Sequence, residues 1–213
     1  KLFPDVKFAG GPAIENGFYY DFDTEHRFSE EDFAKIEKEM RELIKSNGRF
    51  EQRFVDLDEA KGLFKFQPYK MEWLNEYDAA GEKLSVYTFR DFTDLCRGPH
   101  VESSKDLPRD SFKIRTVAGA YWKGDAKNTM LQRIYVDAFL TKEDLDQFLK
   151  MQEEAAARDN RKLGKDMDLF HFEPEYAPGA VFWHNNGYRI YRRLIDYLRA
   201  RQERVGYLEI SKS

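Results

Sequence analysis

Two long β-rich runs in the middle of the chain restrict its fold more than any other feature. Residues 112–122 and 130–140 are dense in β-branched and aromatic side chains, and the turn Lys123-Gly124-Asp125 lies between them. Such side chains fit a pleated, half-buried surface. The spacing predicts an antiparallel pair, with the first run interrupted at Gly119. Val6-Lys7-Phe8-Ala9 adds a short strand ended by Gly10-Gly11-Pro12, and residues 18–23 add an aromatic strand able to pair with it. Residues 50–55 and 84–89 read as further strands. Gly10-Gly11 is not followed by Gly-Lys-Ser/Thr or by a helix-opening glycine, so a phosphate loop is not expected there.

Helices interleave with these strands. Ser29 is a good N-cap, and Glu30, Glu31 and Asp32 fill the first turn. Phe33, Ile36, Met40, Leu43 and Ile44 then share one face up to Asn47-Gly48, while Glu37, Lys38, Arg41, Glu42 and Lys45 read as a solvated mixed-charge face. Residues 56–66 read as a short helix capped by Asp56 or Asp58, broken at Gln67-Pro68, and residues 69–74 suit either helix or strand. Thr141 caps a longer helix that runs into the alanine- and charge-rich residues 153–159, a linking helix between two bodies. After Pro178-Gly179, Asn185 or Asn186 can cap a helix with Tyr188, Tyr191, Leu194, Ile195, Leu198 and Val205 on one face. Gly206 closes it, and Tyr207-Leu208-Glu209-Ile210 starts a strand. The expected class is α+β: an antiparallel-sheet domain over residues 1–140, a linker helix over 141–163, and the start of a second domain over 164–213.

The chemistry concentrates in Asp94-Leu95-Cys96-Arg97-Gly98-Pro99-His100. This stretch holds the chain's one cysteine and one of its four histidines. Pro99 blocks the helical continuation that would stack Cys96 on His100, so the stretch reads as a tight loop aiming polar groups into a space. A satisfied turn around an inert cysteine is the plain alternative. One cysteine excludes an internal disulfide framework and suits a reducing compartment. Formal net charge is −4, so any nucleic-acid contact must come from local patches or from a part of the protein outside this sequence. One such patch is the arginine-rich helix with Arg189, Arg192, Arg193, Arg199, Arg201 and Arg204, which reads first as a solvated face and only second as an RNA or subunit contact. No apolar run approaches the ~20 residues of a membrane span and no signal-peptide pattern opens the chain. The expectation is a cytoplasmic protein. The opening at Lys1-Leu2-Phe3-Pro4 and the stop at Ser211-Lys212-Ser213 read as cut ends.

The heptapeptide with Val101 resembles the editing-site motif of bacterial-type threonyl-tRNA synthetases. Residues 116–125 (Thr-Val-Ala-Gly-Ala-Tyr-Trp-Lys-Gly-Asp) with Met130-Leu131-Gln132-Arg133-Ile134-Tyr135 resemble that family's next block. Gly11-Pro12 with Asn16-Gly17-Phe18-Tyr19-Tyr20-Asp21 resembles the block before it. Residues 158–169, Pro178-Gly179 and Phe182-Trp183-His184-Asn185 resemble the start of its class II aminoacylation domain. The resemblance implies an editing domain, a linker and the opening helix and strand of a class II domain. It also implies a pocket completed by an H-x3-H pair just upstream of Lys1. His26, His171 and His184 lie elsewhere and do not replace that pair.

The implied activity is part of threonine--tRNA ligation, with this stretch hydrolysing mischarged seryl-tRNA(Thr). A free-standing trans-editing deacylase and a non-enzymatic RNA-binding module are the alternatives. For ester hydrolysis the expected catalytic residues are His100, Cys96, Lys70 and Asp94, with Tyr20 and Arg97 binding substrate. His100 would orient water or hydrogen-bond the terminal ribose. A nucleophilic Cys96 would need a lowered pKa and a base, with Arg97 or His100 supplying the field; a wall or hydrogen-bonding role is favoured, since water can attack the ester directly. Asp94 would orient His100 or the substrate ammonium, or simply cap the turn. Lys70 would meet the serine hydroxyl, a water or the oxyanion, and strand alternation directs either Tyr19 or Tyr20 into the site, with Tyr20 favoured. Cys96 and His100 with an H-x3-H pair would make a zinc-type donor set, but the resemblance implies metal-independent editing, and no metal is expected here. ATP, Mg and a catalytic-core Zn are implied for full-length members only. The implied partners are tRNA(Thr), serine as the editing substrate moiety, and a second subunit in a homodimer.

Overall fold

A computed structural model describes residues 2–210; Lys1 and the stop at Ser211-Lys212-Ser213 lie outside the described residues. Backbone contacts divide the chain into two compact units, residues 1–148 and 149–213.

The first unit contains two antiparallel sheets. In one, β1 (Lys7–Phe8), β2 (Ala13–Ile14) and β3 (Gly17–Asp23) open the chain. Both short strands pair with β3. Helix α1 (Glu30–Lys45) follows, then β4 (Phe50–Phe54), α2 (Leu57–Leu63), α3 (Pro68–Ala79), β5 (Ser85–Phe89) and β6 (Phe92–Leu95). The two long runs form β7 (Phe112–Tyr121) and β8 (Met130–Ala138). The sheet order is β1-β3-β8-β7, and a separate sheet has the order β4-β5-β6.

The antiparallel pairing of the long runs agrees with the sequence reading, but Gly119 does not interrupt β7. It pairs with Gln132 inside the ladder, and the irregularity lies between Ile114 and Thr116, where a bulge shifts the register. There Glu37 of α1 accepts the Ile114 N–H at 2.9 Å. Glu37 is buried and also meets Lys113 and Arg41, so it is not part of a solvated face. A bulge frees a backbone donor, and an inward carboxylate satisfies it. The apolar face of α1 (Phe33, Ile36, Met40, Ile44) covers Phe112, Ile114, Ile134 and Val136.

The second sheet has its own core: Ala60 and Phe64 from α2, Leu74 from α3, Leu84, and Val86 from β5. Asp56 caps α2, accepting the Glu59 N–H at 2.8 Å. Residues 69–74 are helical, because Pro68 at the first turn supplies a preset φ and needs no donor there. Helix α3 reaches a third cluster as well, where Tyr69 packs with Ala9, Trp122 and Leu131.

Helix α4 (Lys142–Ala157) does not continue to residue 163. The chain breaks at Arg158-Asp159, and Asp159 caps a new helix, α5 (Asn160–Asp166), accepting the Arg161 N–H at 2.8 Å. Aspartate competes well for free helix N–H groups, which explains the break. The bond to Arg161 holds the Asp159 carboxyl down at about 2.

In the second unit, β9 (Phe170–Phe172) and β10 (Val181–Trp183) form an antiparallel hairpin that the sequence reading did not contain. Helix α6 (Asn185–Arg204) follows. Its N-cap is His184, not an asparagine, because the His184 N–H is engaged by the Leu169 carbonyl at 2.9 Å. Gly187 sits against that carbonyl so closely that a Cβ would lie 2.0 Å from its oxygen. The α6 stripe of Tyr188, Tyr191, Leu194 and Leu198 is exposed. Residues 207–210 form no strand: among the described residues they pair with no other strand, and a strand needs a ladder partner.

Candidate active site

The heptapeptide begins inside a strand. Asp94 and Leu95 end β6, opposite Tyr87 and Val86 of β5. Only the residues from Cys96 onward form the loop expected from the sequence. The ladder carries slightly further, because the Cys96 N–H donates to the Ser85 carbonyl at 3.1 Å and Ser85 Oγ donates to the Cys96 carbonyl at 2.6 Å. The chain then turns through a cis Gly98-Pro99 bond, with Gly98 at φ +70°.

This path brings Cys96 and His100 together. Cys96 Sγ lies 3.1 Å from His100 Nε2 and accepts the Gly98 N–H at 3.3 Å. The sulfur therefore has one fixed donor, the Gly98 N–H, and an imidazole nitrogen as its second partner, which suits it to a hydrogen-bonding role.

Asp94 faces elsewhere. Its Oδ2 accepts the Tyr20 hydroxyl at 2.5 Å, and its Oδ1 lies 2.6 Å from Lys70 Nζ and accepts the Leu95 N–H at 2.8 Å. Lys70 also donates to the Tyr20 hydroxyl at 3.0 Å. Orienting His100 is thus not the role of Asp94 here, since both its oxygens are committed to Tyr20, Lys70 and Leu95. The Lys70 side chain is only 5% exposed, and a buried ammonium is tolerable because a carboxylate and a hydroxyl meet it. Burial, and then the neighbouring Asp94 charge, push the Tyr20 phenol far above its ordinary value, so it stays a donor.

Alternation along β3 decides between the tyrosines. Tyr20 lies opposite Ile134 and joins Lys70 and Asp94, whereas Tyr19 lies opposite Tyr135 and under the Arg133 guanidinium, 3.8 Å from the ring centroid. Arg97 turns outward. It pairs with Glu82 and lies 4.8 Å over the Tyr77 ring, with its side chain 66% exposed. The structure brings it to neither Cys96 nor His100.

Cys96 and His100 supply two N/S donors, and among the described residues no cluster of three or more His, Cys, Asp or Glu could hold a metal ion.

Sequence reasoning passed over β6, and with it the register that sets Tyr87 of β5 opposite Asp94; the Tyr87 ring centroid is 4.2 Å from that of His100. The available signal was the short Arg90-Asp91 connection between two runs of β-prone residues.

Residues 84–135 match the family model described as "Threonyl and Alanyl tRNA synthetase second additional domain". Over that span the chain is similar to this synthetase domain. The matched span runs from β5 through most of β8 and contains Asp94, Cys96, Arg97 and His100; Tyr20 and Lys70 reach the additional domain from outside it. Similar curated proteins are the threonine--tRNA ligases of Burkholderia lata (49% identical over 212 residues, 99% of this chain and 33% of the relative), Cereibacter sphaeroides (47%, 99% and 32%) and Dinoroseobacter shibae (48%, 99% and 32%). The chain therefore spans about a third of the length of the curated relatives it matches. The first unit as a whole is mixed α and β with antiparallel sheets, as the resemblance implied, and no helix among the described residues is long and apolar enough to cross a membrane.

Proposed function

We propose that this chain supplies the editing chemistry of a cytoplasmic threonine--tRNA ligase, hydrolysing seryl-tRNA(Thr) to serine and free tRNA. The observation that carries the reading is the convergence of Tyr20, Lys70 and Asp94 beside the Cys96–His100 pair. The need is physical: serine lacks one methyl of threonine, and a difference of that size is worth only about 1–3 kcal/mol in a binding pocket. A second, hydrolytic site removes the error.

In this reading water attacks the ester carbonyl carbon, the bond to the ribose oxygen breaks, and the ribose oxygen leaves with a proton. His100 holds the water or the ribose hydroxyl. Lys70, with one N–H toward Asp94 and one on the Tyr20 hydroxyl, has a third suited to the developing oxyanion or the serine hydroxyl. Tyr20, whose proton goes to Asp94, offers substrate its oxygen as an acceptor. Cys96 forms a wall and keeps His100 Nε2 in place. Arg97, on the rim, meets the tRNA rather than the reacting ester. An H-x3-H pair upstream completes the pocket.

Residues 1–140 then serve as the editing domain, 141–163 as the linker, and 164–213 as the start of a class II aminoacylation domain. The ligase reaction, its ATP, Mg and Zn requirements, tRNA(Thr) binding beyond Arg97, and homodimer formation belong to this proposal for the whole protein. The test is deacylation of seryl-tRNA(Thr) by the full-length protein. His100→Ala is expected to slow it by about 10²-fold or more, and unchanged hydrolysis would remove the site from the reaction.

A further inference from the structure

We propose that Tyr87 is the positioning residue that holds His100 in register with Asp94 and so joins the two halves of the site; this rests on the editing reading above. The site has two separately bonded parts, the Tyr20–Lys70–Asp94 network and the Cys96–His100 pair. Tyr87 touches both. The β5–β6 register sets it directly opposite Asp94, and directly opposed side chains share a face about 5 Å apart. Its ring centroid is 4.2 Å from that of His100, inclined at 58°.

His100 needs such support. It is exposed, it stands on a loop, and its hydrogen bond is to a sulfur atom. What fixes its plane is ring contact, with Tyr87 and with Phe50 at 5.8 Å and 17°; Phe50 in turn stacks on Phe89 at 4.7 Å. The loop is shaped to admit the phenol. Gly98 has φ +70°, and a Cβ there would lie 2.3 Å from the Tyr87 hydroxyl and 2.9 Å from its ring. Gly98 is therefore required twice, for its backbone conformation and for the space Tyr87 fills. Gln52, opposite Tyr87 on β4, reaches the Arg97 carbonyl at 3.4 Å and ties the far side of the same loop.

A small misplacement of a reacting group costs far more in rate than in binding. In the full-length protein, Tyr87→Leu is expected to lower the rate constant for seryl-tRNA(Thr) hydrolysis about tenfold or more, with KM changed less than about threefold. Tyr87→Phe keeps the ring and should stay within about threefold of wild type. Tyr87→Leu added to His100→Ala should cost nothing further, since residues acting as a unit are non-additive. A second readout is independent of activity. In proton NMR the His100 ring resonances should be shifted upfield by the neighbouring rings in the wild type and in Tyr87→Phe, and move toward the free-histidine position in Tyr87→Leu. Normal hydrolysis by Tyr87→Leu alongside a slow His100→Ala overturns the Tyr87 role and leaves the editing reading standing. Normal hydrolysis by His100→Ala overturns the editing reading and with it the Tyr87 role, whatever the NMR shows of the contact. If Tyr87→Leu does not fold, the wild-type and Tyr87→Phe spectra decide, and unshifted His100 resonances there overturn the proposal.

Discussion

Replacing Lys70 by methionine should destabilise the first unit by about 2–3 kcal/mol. The ammonium lies 2.6 Å from Asp94 Oδ1 and 3.0 Å from the Tyr20 hydroxyl, with its side chain 5% exposed. Removing one partner of a buried ion pair costs ~3–5 kcal/mol, chiefly because the other charge is left uncompensated. The lower figure applies here because Asp94 keeps two donors, the Tyr20 hydroxyl and the Leu95 N–H, and its side chain is 20% exposed. For a unit of 148 residues that corresponds to a fall in Tm of roughly 5–10 °C. Calorimetry of Lys70→Met measures it. The same reasoning says that Asp94→Asn, added to Lys70→Met, should recover more than half of the loss, because the orphaned charge goes with it. A Tm within about 1 °C of wild type for the single variant, or a double variant no more stable than the single, would refute the claim that an ion pair organises this wall.

Two further outcomes follow from buried titratable groups. Asp137 is fully buried, Arg115 is 3.4 Å from its Oδ1, and among the described residues neither carboxylate oxygen accepts a hydrogen bond. Burial raises its pKa above 3.8, so its charged form opposes folding once the pH exceeds that value. Asp137→Asn should therefore stabilise by about 1 kcal/mol at pH 7 in urea denaturation, and a gain as large at pH 4 would contradict this. Burial and the bond to Asp23 push the Tyr69 phenol up to about 12 from 10.0. The unfolded chain then loses its proton first, so stability falls between pH 10 and 12 by about 2 kcal/mol. Tyr69→Phe should flatten that limb, and an unchanged slope would assign the alkaline loss to other groups.

Elements with a repeating pattern were legible in the sequence, and those held by a distant partner were not. The β7–β8 pair, α1 and its Ser29 cap follow from periodicity and local chemistry. The β9–β10 hairpin is too short to carry a period, and three residues a side become strand only by finding each other. Glu37 reads as surface charge because its neighbours are charged, yet the bulge between Ile114 and Thr116 turns it inward. At the site, Cys96 and His100 are neighbours in sequence and their proximity could be read from the loop. Lys70 and Tyr20 meet Asp94 across 24 and 74 residues, and only the family resemblance pointed to them. Tyr87 carries no chemistry of its own, so nothing short of the β5–β6 register selects it.

That distribution follows from how the site is built. Tyr20 comes from one sheet, Asp94 from the other, and the two sheets do not share a ladder. What spans them is α3. Its Tyr69 packs into the cluster with Ala9, Trp122 and Leu131, its Leu74 is fully buried in the core of the second sheet, and Lys70 lies between these anchors. Its N-terminal approach is held too, because Gln67 accepts the Phe8 N–H of β1 at 2.7 Å. Lys70 is therefore fixed by two cores at once, while its charge is satisfied by one residue from each sheet. A buried polar network of this kind is favourable only when every member is satisfied. The geometry that satisfies Lys70 is also the geometry that docks the sheets. Sheet docking and site assembly are then one event, which is why an ion pair of modest net worth can select one arrangement of two otherwise independent cores.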